Sequence, residues 1–390
     1  MDENLLMTRL SFLWCTVRGA VACWQAGSAL FAVSSLLVSG LALAQPPASG
    51  GVGGPAGGGL GGVAAGVNAA EAKQPDRNIS EWLMRMHEAS RRRAYIGTFV
   101  VSTGSTMSSA RIWHVCDGDQ QLERVESLTG APRSTFRRND NVITFHADSK
   151  LALAEKRESL GLFPDLLKSA DSALAQFYSV RLVGVDRVAG FEADVVQLAP
   201  KDSLRFGYRV WSERKSGLVV KLQTLDGDGR VLEQAAFSEL QLDAPVSMNK
   251  LSQMMGNTDG YKVERPDLVK TTAQAEGWAL KAPVAGFKPM SCFKRMVTTG
   301  EGTGSENAMQ WIFSDGLASV SLFVEAFDRQ RHAREGLLAL GATNTLTRRV
   351  TDKAVTDKPG EKSGEWWLTV VGEVPLQTLM SFSQALERKK

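Results

Sequence analysis

The sequence predicts an α+β protein, in which a large antiparallel sheet with helices is followed by a smaller domain of helix packed on sheet. Over residues 178–240, short β-rich runs alternate with turn sequences such as the one at 226–229, a pattern typical of an antiparallel meander. Side chains alternate most clearly where Phe206, Tyr208 and Val210 share one face. This apolar face must be buried against helices, a second sheet or an apolar ligand.

Residues 1–44 are predicted to be a secretory leader. Residues 19–43 are almost wholly apolar or small, and Ala44 before Gln45 fits a small-residue cleavage site. An uncleaved membrane anchor is the alternative, because the apolar run is also just long enough to span a bilayer. Residues 45–77 are rich in Gly, Ala and Pro and are predicted to be a flexible tether.

The first folded domain is predicted over residues 78–243. A helix capped by Ser80 and closed by the cations at 91–93 opens it, and a second helical stretch lies around 163–177. Short β-rich runs over 95–156 add to the meander and give about eleven strands. The economical arrangement is one curved antiparallel sheet wrapped around its helices like an incomplete barrel.

A change of composition marks the second domain. Residues 244–272 are polar, contain proline and lack sustained periodicity, so they are predicted to be the interdomain linker. The domain itself is predicted over 273–390, where β-rich runs are followed by helical spacing. The predicted elements are four strands and a closing helix, at Ala308–Ser314, Ser319–Phe327, Ala342–Val350, Glu365–Val374 and Pro375–Lys390.

The charge balance argues against a dedicated nucleic-acid binder. The formal net charge is only +3, and the predicted export also argues against a nucleic-acid binder. The residues Arg91–Arg93, Arg133, Arg137 and Arg138 form either a local basic surface for anionic groups such as lipid phosphates, or a solvated helix end and strand face. The solvated alternative is favoured.

No constellation of catalytic or metal-binding residues is recognised. The four histidines have no metal-ligand spacing with each other or with cysteine, and no Gly-x-Ser-x-Gly sequence supplies a serine nucleophile. The acidic segment at 226–230 predicts a hairpin turn and not a calcium loop, because Arg230 occupies a ligand position. The alternative of an exported hydrolase would be supported only by scattered carboxylates. We therefore expect no enzyme and no cofactor.

Cys116 and Cys292 are the cysteines that remain beyond the leader, one in each predicted domain. An exported protein enters a compartment that permits disulfides. The two residues form either a bridge between the domains or a pair of free, mostly buried thiols. A bridge requires Cα atoms within about 7 Å of each other, a distance that the sequence does not give.

Short motifs spaced along residues 78–388 carry a family resemblance. In the first predicted domain they include Trp82-Leu83-x-Arg85-Met86, Asp186-Arg187-Val188-Ala189-Gly190 and Gly207-Tyr208-Arg209-x-Trp211. In the second they include Ser314-Asp315-Gly316-Leu317-Ala318-Ser319-Val320-Ser321 and Thr369-Val370-Val371-Gly372-Glu373-Val374-Pro375. Together they resemble the MucB/RseB family, the periplasmic negative regulators of the envelope-stress sigma factor.

The resemblance implies a binding protein of the periplasm. Members hold the periplasmic domain of a transmembrane anti-sigma factor, protect it from regulated proteolysis and so repress the sigma-E response. Their larger domain resembles the lipoprotein carriers of outer-membrane sorting, an unclosed β-barrel with an apolar hollow, which implies release on binding lipid or lipoprotein acyl chains. A lipid or lipoprotein carrier without a signalling role is the alternative. The choice between monomer and homodimer stays open.

Strand phase alone selects the candidate lining of a lipid pocket. The selected residues are Phe99, Val101, Ile112, Phe145, Val196, Tyr208 and Val210. An acyl chain that completes the burial of such a face gains about 0.8 kcal/mol per CH₂ group. The alternative for each residue is ordinary core packing against the protein's own helices.

Overall fold

The structure, a computed structural model, describes residues 77–156, 174–266, 268–298, 305–332, 334–351 and 364–389. The predicted leader at 1–44, its cleavage position at Ala44 and Gln45, and the predicted tether at 45–77 lie outside these residues, except for Arg77. In the described part of the chain, no helix is long and apolar enough to cross a membrane.

A sheet of twelve strands occupies the first part of the described chain. Its strands are β1 (Tyr95–Thr103), β2 (Thr106–Asp117), β3 (Gln120–Ser127), β4 (Arg133–Arg138), β5 (Asn141–His146), β6 (Leu151–Lys156), β7 (Tyr178–Val188), β8 (Phe191–Pro200), β9 (Gly207–Glu213), β10 (Val219–Leu225), β11 (Val231–Leu242) and β12 (Lys262–Glu264). The first eleven correspond to the strands that the β-rich runs predict.

Two series of antiparallel hairpins, β1 to β6 and β7 to β11, make up this sheet. Strand β1 joins them by pairing with β11, also antiparallel, whereas β12 pairs with β6 in parallel. The outer strands are β12 and β7, and within the described residues they do not pair with each other. The sheet is therefore unclosed, which confirms the predicted incomplete barrel.

Helix α1 (Ile79–Arg92) precedes the sheet and begins with a capping box. The Asn78 side chain accepts a hydrogen bond from the Glu81 backbone N–H at 3.0 Å, and the Glu81 carboxylate accepts one from the Asn78 N–H at 2.9 Å. The predicted cap at Ser80 is wrong, because Asn78 has the glutamate three residues later that this motif requires. The buried residues of α1 include Ile79, Trp82, Leu83 and Met86.

Only the end of the second predicted helix, at 163–177, is described. Residues Leu174–Phe177 form the short helix α2, which leads directly into β7. Leu174 is buried. The rest of that predicted helix lies outside the described residues.

The predicted linker at 244–272 contains regular structure. It holds the helix α3 (Met248–Gly256), the strand β12 of the first sheet and a strand β13 (Leu268–Lys270) of the second. Leu251 and Met255 of α3 are buried among residues of β2 to β6. The segment is therefore attached to both sheets, although its mainly polar composition did not predict any element.

A second sheet, of seven strands in the described residues, forms the core of the C-terminal part. Besides β13 it contains β15 (Lys288–Thr298), β16 (Ser305–Ser314), β17 (Ser319–Ala326), β18 (Gly336–Leu340), β19 (Thr343–Thr351) and β20 (Glu365–Gly372). The helix α4 (Leu376–Ala385) packs on it through Leu379 and Phe382, beside a ribbon of β14 (Trp278–Leu280) and β21 (Leu386–Arg388). This helix-on-sheet arrangement confirms the predicted α+β class.

Several elements of this part differ from the prediction, among them β14 and β21, which no β-rich run predicts. Strand β15 was not predicted, because Pro289 and a register shift before Ser291 interrupt its alternation. Strand β18 is an exposed edge strand without alternation. The closing helix ends at Ala385 and not at Lys390, because Leu386 is buried and 386–388 pair with β14. The domain boundaries at 243, 272 and 273 stay a prediction.

Gly97 in β1 is a position where a side chain has no room. A Cβ atom there would lie 2.5 Å from Cε1 of Phe237 on β11 and 3.0 Å from the Glu239 carbonyl oxygen. We expect Gly97→Ala to lower the free energy of unfolding by about 1–3 kcal/mol, because the buried ring must shift. Urea denaturation followed by tryptophan fluorescence measures this loss.

Gly227→Ala is the matched control, because nothing lies within 4 Å of the Cβ position at Gly227, in the turn between β10 and β11. We expect this variant to unfold at the wild-type urea concentration. Equal midpoints for the two variants would contradict the close contact between β1 and β11.

Candidate functional site

The seven predicted lining residues fall into three apolar clusters of the first sheet. Val196, Tyr208 and Val210 belong to the α1 cluster, which is completed by Ile79, Trp82, Leu83, Met86, Leu174, Tyr178, Leu198 and Val219. Phe99, Val101 and Ile112 belong to the central cluster, which includes Tyr95, Trp211, Leu218 and Phe237. Phe145 belongs to the α3 cluster, which includes Val115, Leu122, Phe136, Leu251 and Met255.

Six of these seven side chains are buried, and Val101 is partly buried. Val196 and Val210 are fully buried, at 0% exposure, beside the apolar stripe of α1. The structure therefore brings the seven residues to one sheet but not to one site, and each is covered by the protein's own side chains. Their role in lining a lipid pocket stays a prediction.

Two tyrosines mark the part of the α1 cluster that lies nearest the second sheet. The rings of Tyr178 and Tyr208 are 6.3 Å apart between centroids. Burial raises the pKa of both phenols well above its ordinary value, so both hydroxyls stay protonated at neutral pH. The Tyr178 hydroxyl therefore acts as a donor, and it donates to Asp315 Oδ2 at 3.0 Å.

Asp315 comes from the turn between β16 and β17 and forms a buried ion pair with Arg205. The Nε of Arg205 donates to Asp315 Oδ2 at 2.8 Å, and both side chains are at 0% exposure. The remaining guanidinium nitrogens donate to the Asp202 carboxylate and, at 2.6 Å, to the Ala285 carbonyl oxygen. The guanidinium thus meets several acceptors, the condition under which a buried ion pair is tolerated.

The rings of Phe177 and Phe287 enclose the same guanidinium from the two parts of the chain. The Arg205 Cζ atom lies 4.2 Å from the Phe177 centroid and 5.0 Å from the Phe287 centroid. Gly286 has φ +81°, and a Cβ atom there would lie 2.8 Å from Phe177 Cζ, so a side chain has no space at this position. We call these residues, Tyr178, Asp202, Arg205, Ala285 and Asp315 together with the two rings and Gly286, the domain junction.

Further contacts extend from the junction along one end of the first sheet. Thr378 Oγ1 of α4 donates to the Leu204 carbonyl oxygen at 2.7 Å. At Gly341, in the turn between β18 and β19, an added Cβ atom would meet the Thr103 side chain and lie 3.0 Å from Glu233 Oε2. Because neighbouring strands are antiparallel, the start of β7, β9 and β11 and the end of β1 lie at the same end of the sheet. The second domain contacts this end.

Arginines of the predicted basic surface have polar partners. Arg93 pairs with Asp243 at 3.1 Å, and Arg137 pairs with Glu123 at 2.9 Å. Arg138 donates to Gln120 Oε1 and to Ser252 Oγ, both at 3.3 Å, while Arg133 is buried. Arg93, Arg137 and Arg138 therefore contact acceptors of this chain, and Arg133 is not solvated as the favoured alternative expects.

Cys116 and Cys292 are both free thiols, so the suggested bridge between the domains is absent. Cys116 is half-buried in β2, where burial and then the charge of Asp117 raise its pKa. Cys292 is buried in β15, where burial raises its pKa to about 11. Raised pKa values leave both thiols protonated at neutral pH and therefore poor nucleophiles.

The acidic segment at 226–230 is the turn that joins β10 to β11, as predicted. Asp226 Oδ1 accepts hydrogen bonds from the backbone N–H groups of Asp228 and Arg230, both at 2.9 Å, and its Oδ2 accepts from Arg230 Nε at 2.8 Å. Gly229 has φ +81°, which favours glycine there. Among the described residues, no group of three or more His, Cys, Asp or Glu side chains is placed to hold a metal ion.

Removal of either Arg205 or Asp315 tests how much their buried ion pair contributes to the stability of the fold. We expect Arg205→Met to lower the free energy of unfolding by about 3–5 kcal/mol, because it leaves the Asp315 carboxylate buried without its cation. We expect the double variant, Arg205→Met with Asp315→Asn, to lose less free energy of unfolding than the sum of the losses in the two single variants. Urea denaturation of the four proteins gives the coupling energy.

Arg230→Met removes an arginine that is 75% exposed and also paired with two carboxylates, so it serves as the control. We expect little change in its unfolding midpoint, because solvent screens exposed pairs. If Arg205→Met shifted the midpoint no further than this control, the junction would not depend on the buried pair.

Comparison with known proteins shows the family. The model of the MucB/RseB N-terminal domain matches residues 78–255, and the model of the MucB/RseB C-terminal domain matches residues 272–387. The sigma factor AlgU regulatory protein MucB of Pseudomonas aeruginosa is 30% identical over 77% of this chain and 88% of its own length. The sigma-E factor regulatory protein RseB of Escherichia coli is 24% identical over 78% of this chain and 89% of its own length.

Solved structures agree with this match. The structure of the MucA/MucB complex of Pseudomonas aeruginosa superposes with a TM-score of 0.60 and 26% identity, covering 80% of this chain and 99% of the matched chain. MucB in complex with MucA(peri) gives a TM-score of 0.58 and 27% identity, with the same coverage of both chains. The resemblance inferred from the sequence motifs is confirmed: the chain belongs to the MucB/RseB family.

Proposed function

We propose that this chain is a periplasmic regulator that binds the periplasmic domain of a membrane anti-sigma factor. By covering that domain, it protects the anti-sigma factor from regulated proteolysis and so represses the sigma-E envelope-stress response. The observation that carries the proposal is the match to MucB in complex with MucA(peri), which extends over 99% of the matched chain and so includes both domains. The named relatives are sigma-factor regulatory proteins.

The buried domain junction favours a regulator over a simple carrier. A carrier needs only an apolar hollow, whereas here a fully buried ion pair and Thr378 fix a second domain to one end of the sheet. Such fixed contacts place two surfaces, one from each domain, in a defined relation to each other. A partner that touches both surfaces can then be bound or released by a change at the junction.

Release by lipid is the second part of the proposal. An acyl chain that enters the first domain would replace protein side chains around the predicted lining residues, and each buried CH₂ group contributes about 0.8 kcal/mol. The chain can release the anti-sigma partner only if the lipid-bound conformation binds that partner less tightly. Lipid binding and partner binding are therefore expected to oppose each other.

A binding experiment tests the regulatory role. We expect the full exported chain, immobilised, to capture the purified periplasmic segment of the anti-sigma factor from the same organism, and to slow cleavage of that segment by its protease. A scrambled version of the segment is the control and should not be retained. Retention of neither segment, with lipid recovered from the purified chain, would favour a carrier without a signalling role.

Photo-crosslinking tests which apolar cluster takes an acyl chain. We expect palmitate that carries a diazirine to label peptides of α1, β8 and β9 or of β1 and β2, because those elements carry six of the seven predicted lining residues. A diazirine derivative of butyrate, which has too little apolar surface to bind tightly, is the control. Labelling confined to exposed strands such as β18, which contributes to none of the three clusters, or equal labelling by both probes, would rule out the predicted lining.

A further inference from the structure

In the described residues, strand β18 is the last strand at one side of the second sheet, and it is the least protected outer strand of the two large sheets. The other outer strands, β7, β12 and β13, all carry charged residues, and β7 also has a register shift between Leu182 and Gly184. Strand β18 has the uncharged sequence Gly-Leu-Leu-Ala-Leu and pairs with β19 without a shift. Charges and bulges keep an exposed edge from pairing with another chain, so an edge that lacks both is open to strand addition.

The backbone of β18 has hydrogen-bonding groups that point away from its own sheet. A two-residue turn at 341–342 connects β18 to β19, so Leu340 and Thr343 form the hydrogen-bonded pair that closes the hairpin. Because hydrogen-bonded pairs alternate along an antiparallel ladder, every second residue of β18 turns its N–H and C=O groups to the open side. These residues are Leu337 and Ala339.

The leucines of β18 end two rows of buried side chains, one on each face of the sheet. On the face covered by α4, Leu337 lies opposite Leu346, which is 8% exposed. On the other face, Leu338 lies opposite Thr345, which is 3% exposed. At the edge itself the exposure rises to 58% for Leu337 and 53% for Leu338. One further strand would bury both leucines by extending both rows.

Two arginines before β18 favour acidic residues in such a strand. Arg329 and Arg334 are exposed, and within the described part of the chain neither side chain makes an ion pair or a hydrogen bond. Arg331, which lies between them, is instead paired with Glu325 and Asp328. A strand added antiparallel to β18 would end near the loop that carries the two arginines. Its favoured sequence is therefore an apolar run followed by acidic residues.

The other end of β18 leads to the first domain. An added Cβ atom at Gly341 would lie 3.0 Å from Glu233 Oε2 and 3.3 Å from the Leu232 carbonyl oxygen, at the start of β11. The neighbouring Val231 is an exposed apolar residue. A polypeptide that runs along β18 can therefore continue onto the first domain at this point.

A second copy of this chain fits the edge less well than a separate segment does. Two β18 strands would meet only through the free backbone groups of two residues and two leucine side chains from each copy. This contact is far smaller than the roughly 1,200 Å² of total surface that a stable interface buries. A segment that also contacts the first domain does not depend on β18 alone.

We propose that an extended segment of the anti-sigma factor's periplasmic domain binds to β18 as an added antiparallel strand. The backbone groups of Leu337 and Ala339 provide the hydrogen bonds, and the side chains of Leu337 and Leu338 are covered by apolar residues of the segment. Acidic residues at the end of the segment pair with Arg329 and Arg334. This inference rests on the proposed function, and it specifies the partner-binding surface of the second domain and the conformation of the bound partner.

Amide hydrogen exchange, followed for single residues by NMR, tests strand addition directly. In the full exported chain alone, we expect the amides of Leu337 and Ala339 to exchange faster than those of Leu338 and Leu340, which donate to β19. Saturation with the purified periplasmic segment of the anti-sigma factor should slow the first two amides relative to the other two. We expect a change of about 10-fold, because one further hydrogen bond must then open before exchange.

A proline at the open edge tests the same contact through affinity. Ala339→Pro removes an N–H that points outward and keeps the bonds of the neighbouring residues to β19. We expect the dissociation constant of the segment to rise by about 10-fold, since a hydrogen bond is lost and the added strand meets the ring. Calorimetry on the full exported chain measures this constant.

Lys270→Pro is the matched control, on the outer strand at the opposite side of the same sheet. The Thr271 N–H donates to the Cys292 carbonyl oxygen of β15, so the N–H of the preceding residue points to the open side of β13. This variant should bind the segment with the wild-type dissociation constant.

Charge reversal gives a second variant that leaves the backbone unchanged. We expect Arg334→Glu to raise the dissociation constant by up to about 5-fold at low salt and by less at high salt, because solvent and ions screen an exposed pair. Lys250→Glu on α3 is its control, since Lys250 is exposed and its side chain has no partner in the described residues. It should not change the affinity.

The outcomes separate this inference from the proposed function. If the segment binds while the exchange of Leu337 and Ala339 stays unchanged, or if both Ala339→Pro and Arg334→Glu bind it like the wild type, the inference fails and the proposed function stands. If the wild-type chain binds no segment, the proposed function fails and the inference fails with it. Slow exchange of both amides in the chain alone, with a doubled mass in sedimentation, would assign the edge to a second copy and would also overturn the inference.

Discussion

The buried ion pair between Arg205 and Asp315 is the constraint on which the two-domain structure depends. Neither side chain is exposed, and each ion loses its hydration at a cost of several kcal/mol, so the pair is tolerated only in good geometry with further hydrogen bonds. Tyr178 and the Ala285 carbonyl supply such bonds. Because these four groups come from both domains, the domains must meet in one arrangement for any of them to be satisfied.

The unclosed sheet places an apolar face, covered by α1, next to the domain junction. The edges at β7 and β12 do not pair with each other in the described residues, and α1 covers part of an apolar face of the sheet. A face covered by a helix can exchange that cover for an apolar ligand. The domain junction lies at the border of the α1 cluster, because Tyr178 belongs to the cluster and donates to Asp315.

Much of the fold could be predicted from local patterns. Strands β1 to β11 follow from alternation and turn residues, and the open sheet follows from their number. Errors occurred where two local signals competed, as at the α1 cap, where Ser80 and Asn78 are both good capping residues and only the Glu81 partner decides. Strands such as β18 were missed because an exposed edge needs no alternation.

The candidate site was predictable only in part. Strand phase identified seven side chains on the covered face, but it could not assign them to three clusters, since that depends on where α1, α3 and the turn between β16 and β17 pack. The junction was missed because Asp315 lies 110 residues from Arg205 and 137 residues from Tyr178 in the sequence. The Asp315-Gly316 pair by itself predicts only a turn. A signal was available in Arg205, a cation two residues before the mostly buried strand β9.

Linkage provides the most direct measurement of the central claim, that acyl-chain binding and anti-sigma binding oppose each other through the domain junction. Two ligands that affect each other at equilibrium must do so by the same factor in both directions. Palmitate affinity should therefore be titrated on the full chain, alone and saturated with the anti-sigma segment. We expect the bound segment to lower the affinity for palmitate by the same factor by which bound palmitate lowers the affinity for the segment. An unchanged palmitate affinity would contradict the claim.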